Sequence, residues 1–480
     1  MARPSRIVMK LTDPVLKLFV FAKWIVTLAS RFVFSRISFH RRHLLRGILV
    51  GFVISVVVTI LALLGHFRPY ENALTDLLER IAHKKAKDVV LLFITGAEYK
   101  HGFHATSPLS RERLANMIDV LVKLKARVIA LDIDISDPTH EDEKLTHSLG
   151  RAAAAGIPIV VVGNLKETDE KLPSEGNPLI KLRPYRAENA HYTEDGFMLF
   201  ENASPGSQWI DEVMYGGVNF RLGVDGIFRE GEALYMVKKN CSNDKASYRP
   251  VPSFPVAVAA AYQGMSQDEL FEALSCIDGH TITLVNGSAD DQSEIRINLG
   301  RGAKIVPNFI GNYEYFNREL DLKGLLEEYG PGRKGNETIF KGKVVIVGGA
   351  YDEKDFYTTP LGRMSGMEIL ANITQNIISG DLITHTNFWK AFVIEVTLGA
   401  LVALVFVLTS RLWATFICFV TLVPAVAAAS LLSFSSSYYW FDFVPTIFGV
   451  ILHGWVRKVE VEWRGGISKI KSKTRLGRRA

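Results

Sequence analysis

The first residues in this chain with chemistry to offer are carboxylates at the ends of apolar runs. Asp132 and Asp134 close the run 127–135 (RVIALDIDI), and Asp352 and Asp355 follow the Gly348-Gly349 turn that ends KVVIV at 343–347. If the two runs are neighbouring parallel strands, their carboxyl ends share one edge, which is where open α/β sheets take ligands. Four carboxylates converging there would suit a hard cation such as Ca²⁺ or Mg²⁺, which takes oxygen ligands, or a cationic solute. The same residues also serve as turn and helix caps that accept backbone N–H bonds, and both readings stand. General acid–base work by a carboxylate pair has no sugar- or phosphate-binding pattern beside it. The chain therefore reads as a non-enzyme, with no catalytic residue assigned and no cofactor expected.

A second group of residues needs partners. Arg111 opens a predicted helix, where a cation is badly placed for the helix dipole, so it should have a specific counter-group. Asp225-Gly226-Ile227-Phe228-Arg229 reads as a turn whose Arg pairs with a carboxylate, either at a ligand or as a structural ion pair. Gly348-Gly349-Ala350 lacks the spacing and the Lys-Ser/Thr of a phosphate cradle and reads as a tight strand-to-helix turn. Cys241 and Cys276 either bridge in an oxidising compartment or stay apart, while Cys418 falls in an apolar run and reads as packing. The twelve histidines show no zinc spacing.

Strands and helices must hold these groups. Residues 88–95 (DVVLLFIT), 127–135, 157–162 and 343–347 are apolar, β-branched runs of strand length. Between them, 110–125 carries apolar residues at helical spacing with Ser110 at the N-cap position, and 142–155 and 367–379 are further helices. Alternation of apolar strands with helices predicts an α/β domain with a mainly parallel, helix-covered sheet. Residues 165–212, rich in Gly, Pro and charge, read as an insertion or a rim over that sheet.

Composition sets the class. Of 480 residues, 48% are hydrophobic and 22% charged, which excludes general disorder, and three cysteines exclude a disulfide scaffold. The net charge of +6 would suggest nucleic acid, yet residues 65–388 hold 35 Lys+Arg against 45 Asp+Glu, and the rest holds 21 against 5. The basic excess flanks apolar runs at 47–64, 391–409, 412–432 and 438–455, which is a membrane-topology signature and not a nucleic-acid face. All flanks agree on four transmembrane helices with both termini in the cytoplasm and 65–388 outside. Residues 1–46 form a basic inner segment, with an interfacial helix at 15–29, and 456–480 a basic tail. Glu395 and Asp442 lie at one shallow level of two spans, as a relay or as groups reaching the interface. Gly47, Gly51 and Ser55 form a small-residue stripe for close helix packing, within the bundle or with a second copy.

Three ordered patterns bear a resemblance. The first runs from Arg111 through Leu114-Ala115 and Leu131-Asp132-Ile133-Asp134 to Asp142. The second is Gly217-Val218-Asn219, then Asp225 to Arg229, then Pro252-Ser253-Phe254-Pro255. The third is Phe340-Lys341-Gly342-Lys343 into Gly348, then Asp355, Thr358-Thr359-Pro360 and Gly366-Met367-Glu368. Together they resemble the second class of CHASE domain, the extracellular sensory domain associated with cyclases and histidine kinases, over roughly residues 68–386. The resemblance implies a sensory fold in a bacterial cytoplasmic (inner) membrane protein, with the domain in the periplasm or outside. It adds Arg111, Asn219, Asp225 and Arg229 to the carboxylates as ligand-binding candidates. Relatives usually continue into a kinase or cyclase after the last span, whereas here a short basic segment follows. The expectation is a sensor acting through a separate membrane signalling protein, with homodimerisation open. The alternative is a structural or assembly component of an envelope complex.

Overall fold

A computed structural model describes residues 39–459 except 64, 82–84, 168–198, 205–212, 240–246, 276, 278–280, 286–293, 301–302, 317–319, 330–336, 350, 352–354, 386–387 and 441–442. The chain divides into an α/β unit, Leu74–Thr384, and a helical unit made of Met1–Ala73 with His385–Ala480. Asp352, Asp442, Cys241, Cys276 and the interfacial segment 15–29 lie outside the described residues.

Nine strands build the sheet of the α/β unit: β1 (Val89–Ile94), β2 (Val128–Asp132), β3 (Ile159–Glu167), β4 (Leu199–Ser204), β5 (Met214–Gly217), β6 (Leu234–Lys239), β7 (Ser247–Pro252), β8 (Leu320–Asp321) and β9 (Val344–Gly349). Their order is β8-β1-β9-β2-β3-β4-β6-β7, with β5 also on β3. All pairs from β8 to β3 are parallel. The first half of β3 pairs with β5 in parallel, and its second half with β4 in antiparallel. The 165–212 insertion thus returns to the sheet as β4.

Strand alternation sends side chains to two cores. Val90, Leu92, Ile129, Leu131, Val345 and Val347 face one layer with Leu114, Ile118 and Leu121 of α3 (Arg111–Lys123) and Leu145 and Leu149 of α4 (Asp142–Ala154). Val89, Leu91, Val128, Ala130, Val344 and Ile346 face the other, with α5 (Phe254–Tyr262) and α6 (Gly366–Ser379). The predicted helix-covered parallel sheet is present. α2 (Arg68–Ile81) precedes β1, and a hairpin of β10 (Phe356–Thr359) and β11 (Gly362–Ser365) leads into α6.

Helix α6 starts with a capping box: Ser365 Oγ accepts from the Glu368 N–H at 3.3 Å, and Glu368 Oε2 from the Ser365 N–H at 2.6 Å. It ends at Gly380 in the left-handed region, φ 72°. Its buried amides stitch neighbouring backbone: Gln375 Oε1 accepts from Asp88 and Val89 N–H, Asn372 Oδ1 from Ile310, and Asn376 Oδ1 from Asn308.

The helical unit contains α1 (Phe39–Leu63), α7 (Phe388–Leu408), α8 (Arg411–Ser437) and α9, residues 444–459. Among the described residues two helices, Trp389–Leu408 and Arg411–Ser437, are long and apolar enough to cross a membrane, and a shorter apolar stretch covers Leu49–Ala62. α8 contains a π turn, Cys418–Leu422, just before Val423-Pro424, where Pro removes a backbone donor. Cys418 is buried among Val402, Phe406, Ala414 and Val450. The small-residue stripe meets its own bundle: a Cβ on Gly51 would come 2.6 Å from Ala403 Cβ, and one on Gly399 would come 1.7 Å from Ser55 Oγ. Only glycine allows α1 and α7 to cross this closely.

Candidate functional site

The sheet opens where its connections part. After β2 the chain turns to α4 on one face, while after β9 it continues through β10 and β11 to α6 on the other. β2 and β9 are hydrogen-bonded neighbours, with Asp132 opposite Gly348. Adjacent parallel strands whose connections diverge leave a crevice beyond their carboxyl ends. There the structure has a cleft of about 430 Å³, lined by Asp132, Val218, Asn219, Phe220, Gly349, Tyr351, Asp355 and Tyr357.

Each side chain in the cleft has a local reason for its place. Asp132 follows Val128 and Ala130 on the α6 face, and Gly348 beside it has no room for a Cβ, which would press on Met367 Sδ at 2.7 Å and Asp132 Cβ at 3.1 Å. Asp355 lies against the first turn of α6, where a Cβ on Gly366 would come 2.6 Å from its Oδ1. A helix start favours a negative group. Tyr351 stacks on Tyr99 at 4.2 Å between ring centroids with the planes 2° apart. Phe220 packs on Tyr357 at 4.7 Å and on Phe228 at 5.5 Å.

Electrostatically the cleft is acidic. The Asp132 carboxylate has no hydrogen-bond partner among the described residues. Burial, then the Asp355 charge, raises its pKa from 3.8 to about 7. The Tyr357 hydroxyl is pushed up by burial and by the same two carboxylates. Among the described residues no group of three or more His, Cys, Asp or Glu is placed to hold a metal ion.

Of the described residues singled out in the sequence, Asp132, Asn219 and Asp355 meet in this cleft, and Asp134, Arg111, Asp225, Arg229 and Glu395 do not line it. Asp134 is exposed and accepts from the Ser136 N–H at 2.8 Å, as a turn residue does. Arg111 is 0% exposed and donates to Ile135 O and Asp137 O, with Asp142 at 3.4 Å, so it pins the loop between β2 and α4. Ser110 stands before α3 as expected but donates to Glu141, whose carboxylate also accepts the Glu112 N–H.

Arg229 makes two-pronged ion pairs with Asp76 of α2, at 2.8 and 2.9 Å, and with Asp225, at 3.0 and 2.8 Å. Gly226 takes φ 76° at the tip of that turn. Phe228 donates to Thr358 O, and Arg80 of α2 to Pro360 O. The segment that carries Asp355 is thereby bonded both to the 225–229 turn and to α2. Glu79, 3% exposed, lies beside this clamp with its carboxyl raised by burial and by Asp76, against the lowering by Arg229. In the helical unit Glu395 is 7% exposed and accepts from Thr446 Oγ1 of α9 at 3.3 Å.

The sequence did not single out Phe220, Tyr351 or Tyr357. A usable signal was present in Tyr351 and Tyr357, which flank the acidic stretch after the Gly-Gly turn. Phe220 became visible only through packing.

Comparison with curated proteins gives no match, and comparison with solved structures gives none. The family model of the CHASE2 domain matches residues 53–409. That span takes in the whole sheet and its cleft, and the chain belongs to the CHASE2 domain family of extracellular sensory domains.

Proposed function

We propose that this chain is a multi-pass membrane sensor that binds its ligand in the cleft at the ends of β2 and β9 and acts on a separate membrane protein. The observation that carries the reading is Asp132, a half-buried carboxylate with no hydrogen-bond partner among the described residues, at the mouth of a topological switch point. A carboxylate kept without a donor in such a place is a cost to folding that ligand binding can relieve. In this reading the four apolar runs each cross a bacterial inner membrane, both termini are cytoplasmic and the sensory domain is outside. The basic flanks of those runs support this orientation.

Transmission has a bonded route inside the α/β unit. A ligand that draws on Asp355 shifts the 355–360 segment, and with it Arg80 and the Asp76–Arg229 clamp on α2. In the chain, four residues, 64–67, separate the end of α1 from the start of α2. The ligand moves this equilibrium only by its difference in affinity for the two positions.

Crosslinking in intact cells, followed by purification from membranes and identification of what is captured, tests the partner. Stoichiometric recovery of a kinase, cyclase or phosphatase supports a split receptor. Recovery of secretion or envelope-assembly components, or of further copies of this chain only, overturns it in favour of a structural module.

A further inference from the structure

The chemistry of the cleft narrows its ligand. Its lining has two carboxylates, Asp132 and Asp355, and no Lys, Arg or His among the described residues. Asp132 has no donor among the described residues to satisfy it. The cavity, about 430 Å³, is of the size that holds a small organic molecule and far larger than one bare ion. A hard dication needs six or more oxygen ligands at short range, yet here three aromatic rings, Phe220, Tyr351 and Tyr357, occupy the wall. Aromatic rings beside carboxylates are the surroundings that favour a weakly hydrated organic cation, through charge pairing and cation–π attraction.

We infer that the cleft is a binding site for a small organic ammonium cation, its charge held between Asp132 and Asp355 and its alkyl groups against Phe220, Tyr351 and Tyr357. The inference rests on the reading of the cleft as the sensory site and names the class of ligand for it.

The test is equilibrium binding to the full chain purified in detergent, at pH 8. The probes are choline, its uncharged isostere 3,3-dimethylbutan-1-ol, butane-1,4-diammonium, Ca²⁺ and Mg²⁺. The expected result is binding of choline or the diammonium, at least tenfold weaker binding of the uncharged isostere, and a loss of tenfold or more with Asp132→Asn and with Asp355→Asn. Tyr357→Leu should weaken binding about fivefold while Tyr357→Phe, which keeps the ring, should not, in line with the ordinary size of a cation–π contact. A circular-dichroism spectrum like that of wild type, with one cooperative unfolding transition at or above the wild-type temperature, identifies variants that are correctly folded.

Equal binding of the isostere, binding of Ca²⁺ or Mg²⁺ alone, or binding of none of the probes overturns the ammonium assignment. The sensory reading fails separately, when Asp132→Asn leaves the cellular response unchanged. Isostere or metal binding that depends on Asp132 would sink the ligand class and keep the site.

Discussion

Replacing Asp132 by Asn should make the protein more stable at alkaline pH, because the carboxylate is held where its charge is costly. Burial and the neighbouring Asp355 raise its pKa to about 7, against about 3.9 for Asp in an unfolded chain. Below about pH 4 both states hold the proton and the cost is absent. Between about pH 4 and 7 the unfolded chain releases a proton that the native chain keeps, so stability falls as pH rises, and above about 7 the loss is complete. At about 1.4 kcal/mol per tenfold in proton affinity, the loss is roughly 1.5 kcal/mol at pH 5 and roughly 4 kcal/mol at pH 8, the latter an upper bound because the site relaxes. Asn carries no such proton. Denaturant unfolding of purified wild type and Asp132→Asn at pH 5, 6, 7 and 8 reads the difference directly. Glu232, raised by burial to about 7, and Glu79, raised by burial, contribute with the same sign in both proteins and cancel. A variant less stable than wild type at pH 8, or a gap that does not change with pH, would mean that the Asp132 charge is not costly and that the residue is an ordinary hydrogen-bonded cap.

Other perturbations separate structure from signalling. Arg229→Ala leaves Asp76 and Glu79 without their cation and should cost about 3 kcal/mol in denaturant unfolding; Arg229→Lys should recover only part, since one ammonium does not replace two forked pairs. Arg111→Leu strands the carbonyls of Ile135 and Asp137 and should lower stability by about 3 kcal/mol. Ser365→Ala removes half of the α6 capping box and should cost about 1 kcal/mol. Gly399→Leu, whose Cβ would overlap Ser55, should sharply reduce the amount of folded chain recovered from membranes, whereas Gly449→Ala, with nothing within 4 Å, should not.

The parallel sheet was legible because its central strands are buried on both faces and therefore read as unbroken apolar runs. Those runs end where the site begins, so Asp132 and Asp355 could be placed on one edge once β2 and β9 were assumed to be neighbours. The position of β9 between β1 and β2 was not legible, since it depends on a long-range pairing between residues 128–132 and 344–348. Asp134 looked equivalent to Asp132, yet strand alternation ends at β2 and its side chain closes a local turn. Arg111 was correctly expected to need partners, but three of them are carbonyls, which leave no trace in residue type. The role of Gln375, Asn372 and Asn376 was hidden for the same reason: in a sequence, buried amides that satisfy a neighbour's backbone look like any polar face of a helix.

The most direct test of the whole account is the output of the captured partner in intact cells that carry wild type or Asp132→Asn at equal membrane abundance. Asp132→Asn should keep the partner bound but hold its output at one level whatever the external conditions. An output that follows those conditions as in wild type would contradict it.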